Sequence, residues 1–195
     1  KSDEKVPLLN CYTAPCEDTC PIHQEITTYV RLAGEGKYEE ALRVILNKNA
    51  LPFITGTICS HACQSHCTRN FYETSVQIRD TKLLCAQNAF DTLLSEVEAT
   101  GTCRKNVAVV GGGPSGMAAA FYLARAGADV TIYEKRDRLG GVVSAIIPDF
   151  RIADDTIAKD AALLERLGVK ILTNTQAPPV AELKAAGYDD VVLAV

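Results

Sequence analysis

Six of the eight cysteines lie in two runs, Cys11-x4-Cys16-x3-Cys20-Pro21 and Cys59-x3-Cys63-x3-Cys67. Thiols this dense pair as disulfides, ligate metal or sit reduced in a core, and the first two outcomes force distant stretches together. Three residues spaced by four would share one helical face yet spread over roughly 12 Å, too far for one compact cluster. In ferredoxin-like runs the cysteine before a proline often ligates a different cluster from its neighbours. The expectation is therefore two centres. Cys59 and Cys63 join Cys20 at one, and Cys67 joins Cys11 and Cys16 at the other. Each centre then has three thiolates and needs a fourth ligand. Zinc is the rival, because His61 and His66 interleave with the second run and zinc accepts both ligand types. His23 reads only as a helix-surface or packing histidine.

Composition narrows the setting. Net charge is −4, with 11 basic against 13 acidic residues through Lys105 and 9 against 11 beyond it. No basic patch addresses nucleic acid, and no apolar run approaches the roughly 18 residues of a membrane span. The chain opens on Lys1 without a signal-like segment and ends inside an apolar stretch, which reads as a fragment of a longer protein. A cytoplasmic setting with ligated or reduced thiols fits better than a disulfide framework.

The periodicity divides the chain. Apolar residues at helical spacing predict helices over 22–33, 38–46 and 80–97, with 53–57 as a connector into the second cysteine run. Residues 1–100 form a helical domain and 101–105 a linker; 106–195 alternate strands and helices, which implies a parallel sheet. Strands are expected at 106–110, 129–134, 169–173 and 190–195, and helices at 115–126, 154–168 and 180–186. Cys85 falls on the third helix, where a core role competes with that of a missing cluster ligand; Cys103 falls in the linker.

The turn after the first strand carries Gly111-x-Gly113-x-x-Gly116. Gly111 opens a tight turn, Gly113 lets backbone approach a pyrophosphate, and Gly116 permits close helix–strand contact. Pro114 and Ser115 begin the helix, whose N-terminal amides and dipole favour phosphate. Glu134 ends the second strand 23 residues after Gly111, where a carboxylate takes ribose hydroxyls and disfavours a 2′-phosphate. Gly140 and Gly141 form a second glycine pair that admits close approach of a ligand.

The fingerprint Val109-Val110-Gly111-Gly112-Gly113-Pro114-Ser115-Gly116, the stretch Glu134…Leu139-Gly140-Gly141, Ile147-Pro148-Asp149-Phe150-Arg151, Cys20-Pro21-Ile22, Gly36–Ala41 and Gly56-Thr57-Ile58-Cys59 occur together. In this combination the chain resembles the small subunit of NADPH-dependent glutamate synthase and the N-terminal part of dihydropyrimidine dehydrogenase. The likeness is strongest to selenate-reductase-type flavin/iron–sulfur subunits. The resemblance implies an N-terminal helical domain with two [4Fe–4S] clusters and a doubly wound FAD-binding domain truncated at its C-terminus. It implies electron transfer between FAD and the clusters, NADPH or NADH acting through a domain outside this chain, and a catalytic domain or subunit as partner. Carried over, Gly111, Gly113, Pro114, Ser115, Gly116, Glu134, Gly140 and Gly141 hold FAD, and Arg151 is a flavin-proximal cation. The chain departs from the pattern at Leu8, where relatives often place another cysteine, and near Lys82, where some place a Gln or Glu ligand. Cys85 is the preferred substitute ligand. The alternative function, from another class, is a non-catalytic zinc-binding docking module.

Overall fold

The computed structural model describes residues 13–195. Cys11 and Leu8 therefore lie outside the described residues. The N-terminal half is helical: α1 (Pro15–Asp18), α2 (Ile26–Gly34), α3 (Tyr38–Leu46), α4 (Pro52–Ile58), α5 (Ala62–Ser65), a 3₁₀ turn at Thr68–Phe71, and α6 (Ile78–Glu96). Amphipathic spacing explains α2 and α3, which bury Ile26, Tyr29 and Leu32 against Ala41, Leu42, Ile45 and Leu46. The 19-residue α6 buries Ile78, Lys82, Cys85, Ala86, Ala89 and Leu93 along one stripe.

One expectation is corrected here. The segment 53–57 is not a connector but the body of α4, begun by Pro52 in the first turn, where its missing N–H costs nothing. The second cysteine run is broken and does not form one continuous helix. Cys59 ends α4 in extended conformation, His61 adopts a left-handed φ of 46°, and only Ala62–Ser65 resumes helix.

The second half begins with β1 (Asn106–Val110), α7 (Pro114–Arg125), β2 (Asp129–Tyr133), α8 (Val142–Ala145) and α9 (Asp154–Arg166). It finishes with β3 (Lys170–Leu172), α10 (Val180–Ala185) and β4 (Asp190–Leu193). The strands form one parallel sheet in the order β3-β2-β1-β4. Val109 faces Ile132 on one side and Val192 on the other. Strand order reverses beside β1, which leaves a crevice at the carboxyl ends of the strands. The short α8 lies inside what periodicity marked as loop.

One continuous apolar core runs through both halves, from Tyr29 and Leu42 to Val109, Phe121 and Leu164. Side chains of the sheet half seal helix ends of the other. Asp160, on α9, accepts from the Phe53 and Ile54 amides at 3.1 and 2.8 Å. Arg125 donates to the Leu46 carbonyl at 3.2 Å, and Arg166 to the Leu94 and Ser95 carbonyls at 3.1 and 3.0 Å. Acid at a helix start and cation at a helix finish match the dipole in each case. Between the halves, the Thr100 and Gly101 amides bond the Arg125 carbonyl. A Cβ on Gly101 would stand 2.1 Å from the Ala126 oxygen, so only glycine passes there. Among the described residues no helix is long and apolar enough to cross a membrane.

Candidate metal centre and dinucleotide site

Cys20 follows α1, Cys59 ends α4 and Cys63 lies on α5; the packing of these elements brings the three thiols together. Burial pushes the Cys63 thiol up, and the neighbouring Cys59 and Cys20 push it further. The Cys59 sulfur accepts from the His61 amide at 3.4 Å, an arrangement the left-handed turn at His61 makes possible. Such an N–H···S bond stabilises a thiolate. α4 also approaches α6 closely, since a Cβ at Gly56 would lie 3.0 Å from Leu83.

Lys82 enters this group from α6. It is 7 % exposed. Burial lowers its pKa, while Cys59, Cys20 and Cys63, in that order, raise it again. It is thus a cation facing three thiols. Sequence reasoning set Lys82 aside as a poor ligand and missed this role as a buried counter-charge; a lysine on the apolar stripe of α6 was the available signal.

Cys16 and Cys67 form a second grouping. Both line a cavity of about 200 Å³ walled by Ile26, Val30, Val76 and Ile78. Burial raises the Cys16 pKa, with Glu17 and Cys67 adding to it. Between the groupings stands Tyr29, its hydroxyl pushed up by burial and then by Cys63, Cys20, Cys85 and Cys16. Cys16 also contributes to the raised Cys63 pKa, so the two groupings lie close to one another, and Cys11 lies outside the described residues. Cys85 is different. It is 0 % exposed in the core, its thiol pushed up to about 11 by burial with no charge contribution from the other thiols. Lys82 lies one turn earlier on the same helix.

Among the described residues, no three His, Cys, Asp or Glu side chains converge tightly enough to hold a single metal ion. His66 is turned onto its own helix, donating from Nδ1 to the Ala62 carbonyl at 3.1 Å. A cluster spans more room than one tetrahedral ion, and the looser, partly buried thiol groupings, with an amide aimed at one sulfur, fit the larger group.

The dinucleotide cavity, about 350 Å³, opens at the carboxyl ends of β1, β2 and β4. Val110, Gly111, Gly113, Pro114, Ser115, Glu134 and Gly141 line it. Gly111 takes φ +104°, and a side chain there would meet the Ala194 carbonyl at 2.5 Å. At Gly113 the nearest atom to an added Cβ is the Gly141 Cα at 3.8 Å, so the missing side chain leaves open space facing the cavity. Gly116 allows α7 to ride against the Gly111 carbonyl, which a Cβ would approach to 1.9 Å.

Glu134 is 5 % exposed, and its two oxygens accept from the Gly112 amide at 2.7 Å and the Arg136 amide at 2.8 Å. The carboxylate therefore braces the glycine turn, each oxygen keeping a lone pair for a ligand hydroxyl. Gly140 joins the two glycine loops by donating to the Gly112 carbonyl at 2.8 Å. Arg151 is exposed and does not line the cavity; its amide closes a turn on the Pro148 carbonyl. The cations that do line it, Lys135 and Arg136, were missed, as were Thr175 and Gln176 from the loop after β3. The two cations directly follow the acid, which was the readable signal.

Comparison with known proteins agrees with both halves. Residues 5–93 match the family described as dihydropyrimidine dehydrogenase domain II, 4Fe-4S cluster, and residues 109–180 the NAD(P)-binding Rossmann-like domain. The chain is 41 % identical over 98 % of its length to YgfK of Escherichia coli K12, named as an oxidoreductase, of which it covers 19 %. It is 33 % identical over 87 % of its length to the NADPH-Fe(3+) oxidoreductase subunit beta of Geobacter sulfurreducens, covering 26 % of that protein. To the small chain of NADPH glutamate synthase from Escherichia coli K12 it is 29 % identical over 96 % of its length, covering 41 % of that chain. It thus spans well under half of each relative. Residues 5–93 are thus similar to the dihydropyrimidine dehydrogenase domain II, 4Fe-4S family and residues 109–180 to the NAD(P)-binding Rossmann-like domain, and the chain aligns over nearly its whole length with a protein named as an oxidoreductase.

Proposed function

We propose that this chain is the electron-transfer portion of an NAD(P)H-dependent flavin/iron–sulfur oxidoreductase of the cytoplasm. In this reading, 1–100 form the cluster domain, 101–105 the linker and 106–195 the flavin domain. Cys20, Cys59 and Cys63 hold one [4Fe–4S] cluster, and Cys11, Cys16 and Cys67 hold another. The carrying observation is that one continuous core joins the thiol trio, with its counter-charge Lys82, to a glycine-walled cavity at the β1–β4 switch point.

The cavity residues support FAD as the occupant. Gly113 leaves room for a diphosphate, Gly141 lets its loop close against Gly113, the start of α7 offers amides, and Glu134 keeps acceptor capacity for a ribose. Lys135 and Arg136 add positive charge at the rim. A flavin supplies the conversion of a two-electron hydride donor into one-electron carriers. The protein's part is to hold the groups, exclude water and set their charge environment. The electrons would leave for a catalytic domain or subunit; the Geobacter relative, named as a subunit, supports such a partnership.

The test is anaerobic purification followed by iron, sulfide and flavin quantification. About eight irons per chain, with visible absorbance bleached by dithionite, is the expected result. Stoichiometric zinc without iron would overturn the reading in favour of a docking module.

A further inference from the structure

The helix that ends at Cys59 is capped from the other half of the molecule. Asp160, buried to 0 % exposure, holds the Phe53 and Ile54 amides of α4 on its two oxygens at 3.1 and 2.8 Å. At the opposite end of the same two turns, the Cys59 amide closes on the Thr55 carbonyl at 3.2 Å. Sideways motion of α4 is limited by Gly56 against Leu83, and the Thr55 hydroxyl is tied to Leu51 and Asn49. The helix therefore moves as a piece if it moves at all.

The helix α9 that carries Asp160 also touches the loop that leads into the dinucleotide cavity. Ile157, one turn before Asp160, lies 3.1 Å from where a Cβ on Gly140 would stand. Asp154, at the start of α9, pairs with Arg138 of the same loop. That loop continues into Gly141 and Val142, which line the cavity.

We propose that Asp160 is a positioning residue: through α4 it fixes Cys59, and through α9 it ties that thiol to the glycine loop of the dinucleotide cavity. The inference deepens the proposed function and rests on it for the identity of the two ligands. Occupancy of the cavity then stiffens the Gly140–Gly141 loop, α9, the α4 cap and Cys59 in turn, so the flavin side and one cluster are held in a fixed relation. Among the described residues no such tie reaches the Cys16–Cys67 grouping, which is left unaffected.

The test is residue-resolved amide hydrogen exchange on the whole chain, with and without added FAD, in the wild type and in Asp160→Asn. In the wild type, FAD slows exchange at Phe53, Ile54 and Cys59 by at least tenfold and leaves α3 amides unchanged. In D160N, which keeps the side chain's shape but places an N–H where an acceptor is needed, the response at Cys59 disappears. The electron paramagnetic resonance signal of the Cys59 cluster shifts, while that of the second cluster does not. A wild type in which FAD leaves Cys59 exchange unmoved overturns the proposal without any variant. So does a D160N protein that loses protection only at Phe53 and Ile54. An iron-free wild type that still shows the FAD response at Cys59 supports the mechanical tie and defeats the cluster reading instead.

Discussion

At the scale of single residues, Lys82 shows how one side chain sets the chemistry of its neighbours. A buried ammonium offsets thiolate charge that a low-dielectric core otherwise penalises. Replacing Lys82 by Met is expected to lower the midpoint potential of the cluster we propose at Cys20, Cys59 and Cys63 by on the order of 60 mV, the one-electron equivalent of tenfold. Lys82→Arg restores most of it. Potentiometric titration followed by electron paramagnetic resonance checks this, and an unshifted potential in K82M refutes it. The glycine fingerprint was legible residue by residue because each position answers a steric demand that only glycine meets. Lys82 was not, since its meaning depends on thiols from three separate segments.

At the scale of elements, α4 separates what sequence states from what only tertiary structure supplies. Pro52, Gly56 and two threonines make 52–58 a weak helix by propensity, and it was read as a connector. Its missing support comes from Asp160, more than a hundred residues away, which satisfies two amides that would otherwise lack partners. Gly56 is kept for its approach to α6. Ala there gains about 1 kcal/mol of helix propensity but crowds Leu83, an overpacking that costs about 1–3 kcal/mol. We expect Gly56→Ala to destabilise the protein by up to about 2 kcal/mol in denaturant unfolding; a stabilised variant would show that α6 yields easily. The strands and α7 were legible to within a residue or two, because their patterns bury locally against one another.

At the scale of the whole molecule, the two halves share one core, and this has a measurable acid–base signature. Burial raises the Asp160 carboxyl from 3.8 to about 7, held back by the Ile54 and Phe53 amides and by Lys82. Below about pH 4 the group is protonated in both folded and unfolded chains. Between about pH 4 and 7 the unfolded chain ionises first, so this contribution to stability falls as pH rises and is fully lost above 7. Denaturant unfolding from pH 4 to 8 should show this decline in the wild type relative to D160N; parallel curves would contradict it. The fold class was readable from alternation of elements, whereas the joint between the halves was not. Its side-chain contacts pair residues 71 to 107 positions apart, with nothing in local pattern to mark them.

Three helix ends of the cysteine-bearing half are finished by Asp160, Arg125 and Arg166 of the nucleotide-binding half. Recombination that swaps one cofactor module for a foreign counterpart therefore leaves bare amides and carbonyls at the new seam, each costing roughly 0.5–2 kcal/mol. Lineages built on this pairing are constrained to inherit both modules together, and engineers borrowing either one must graft the matching three side chains with it.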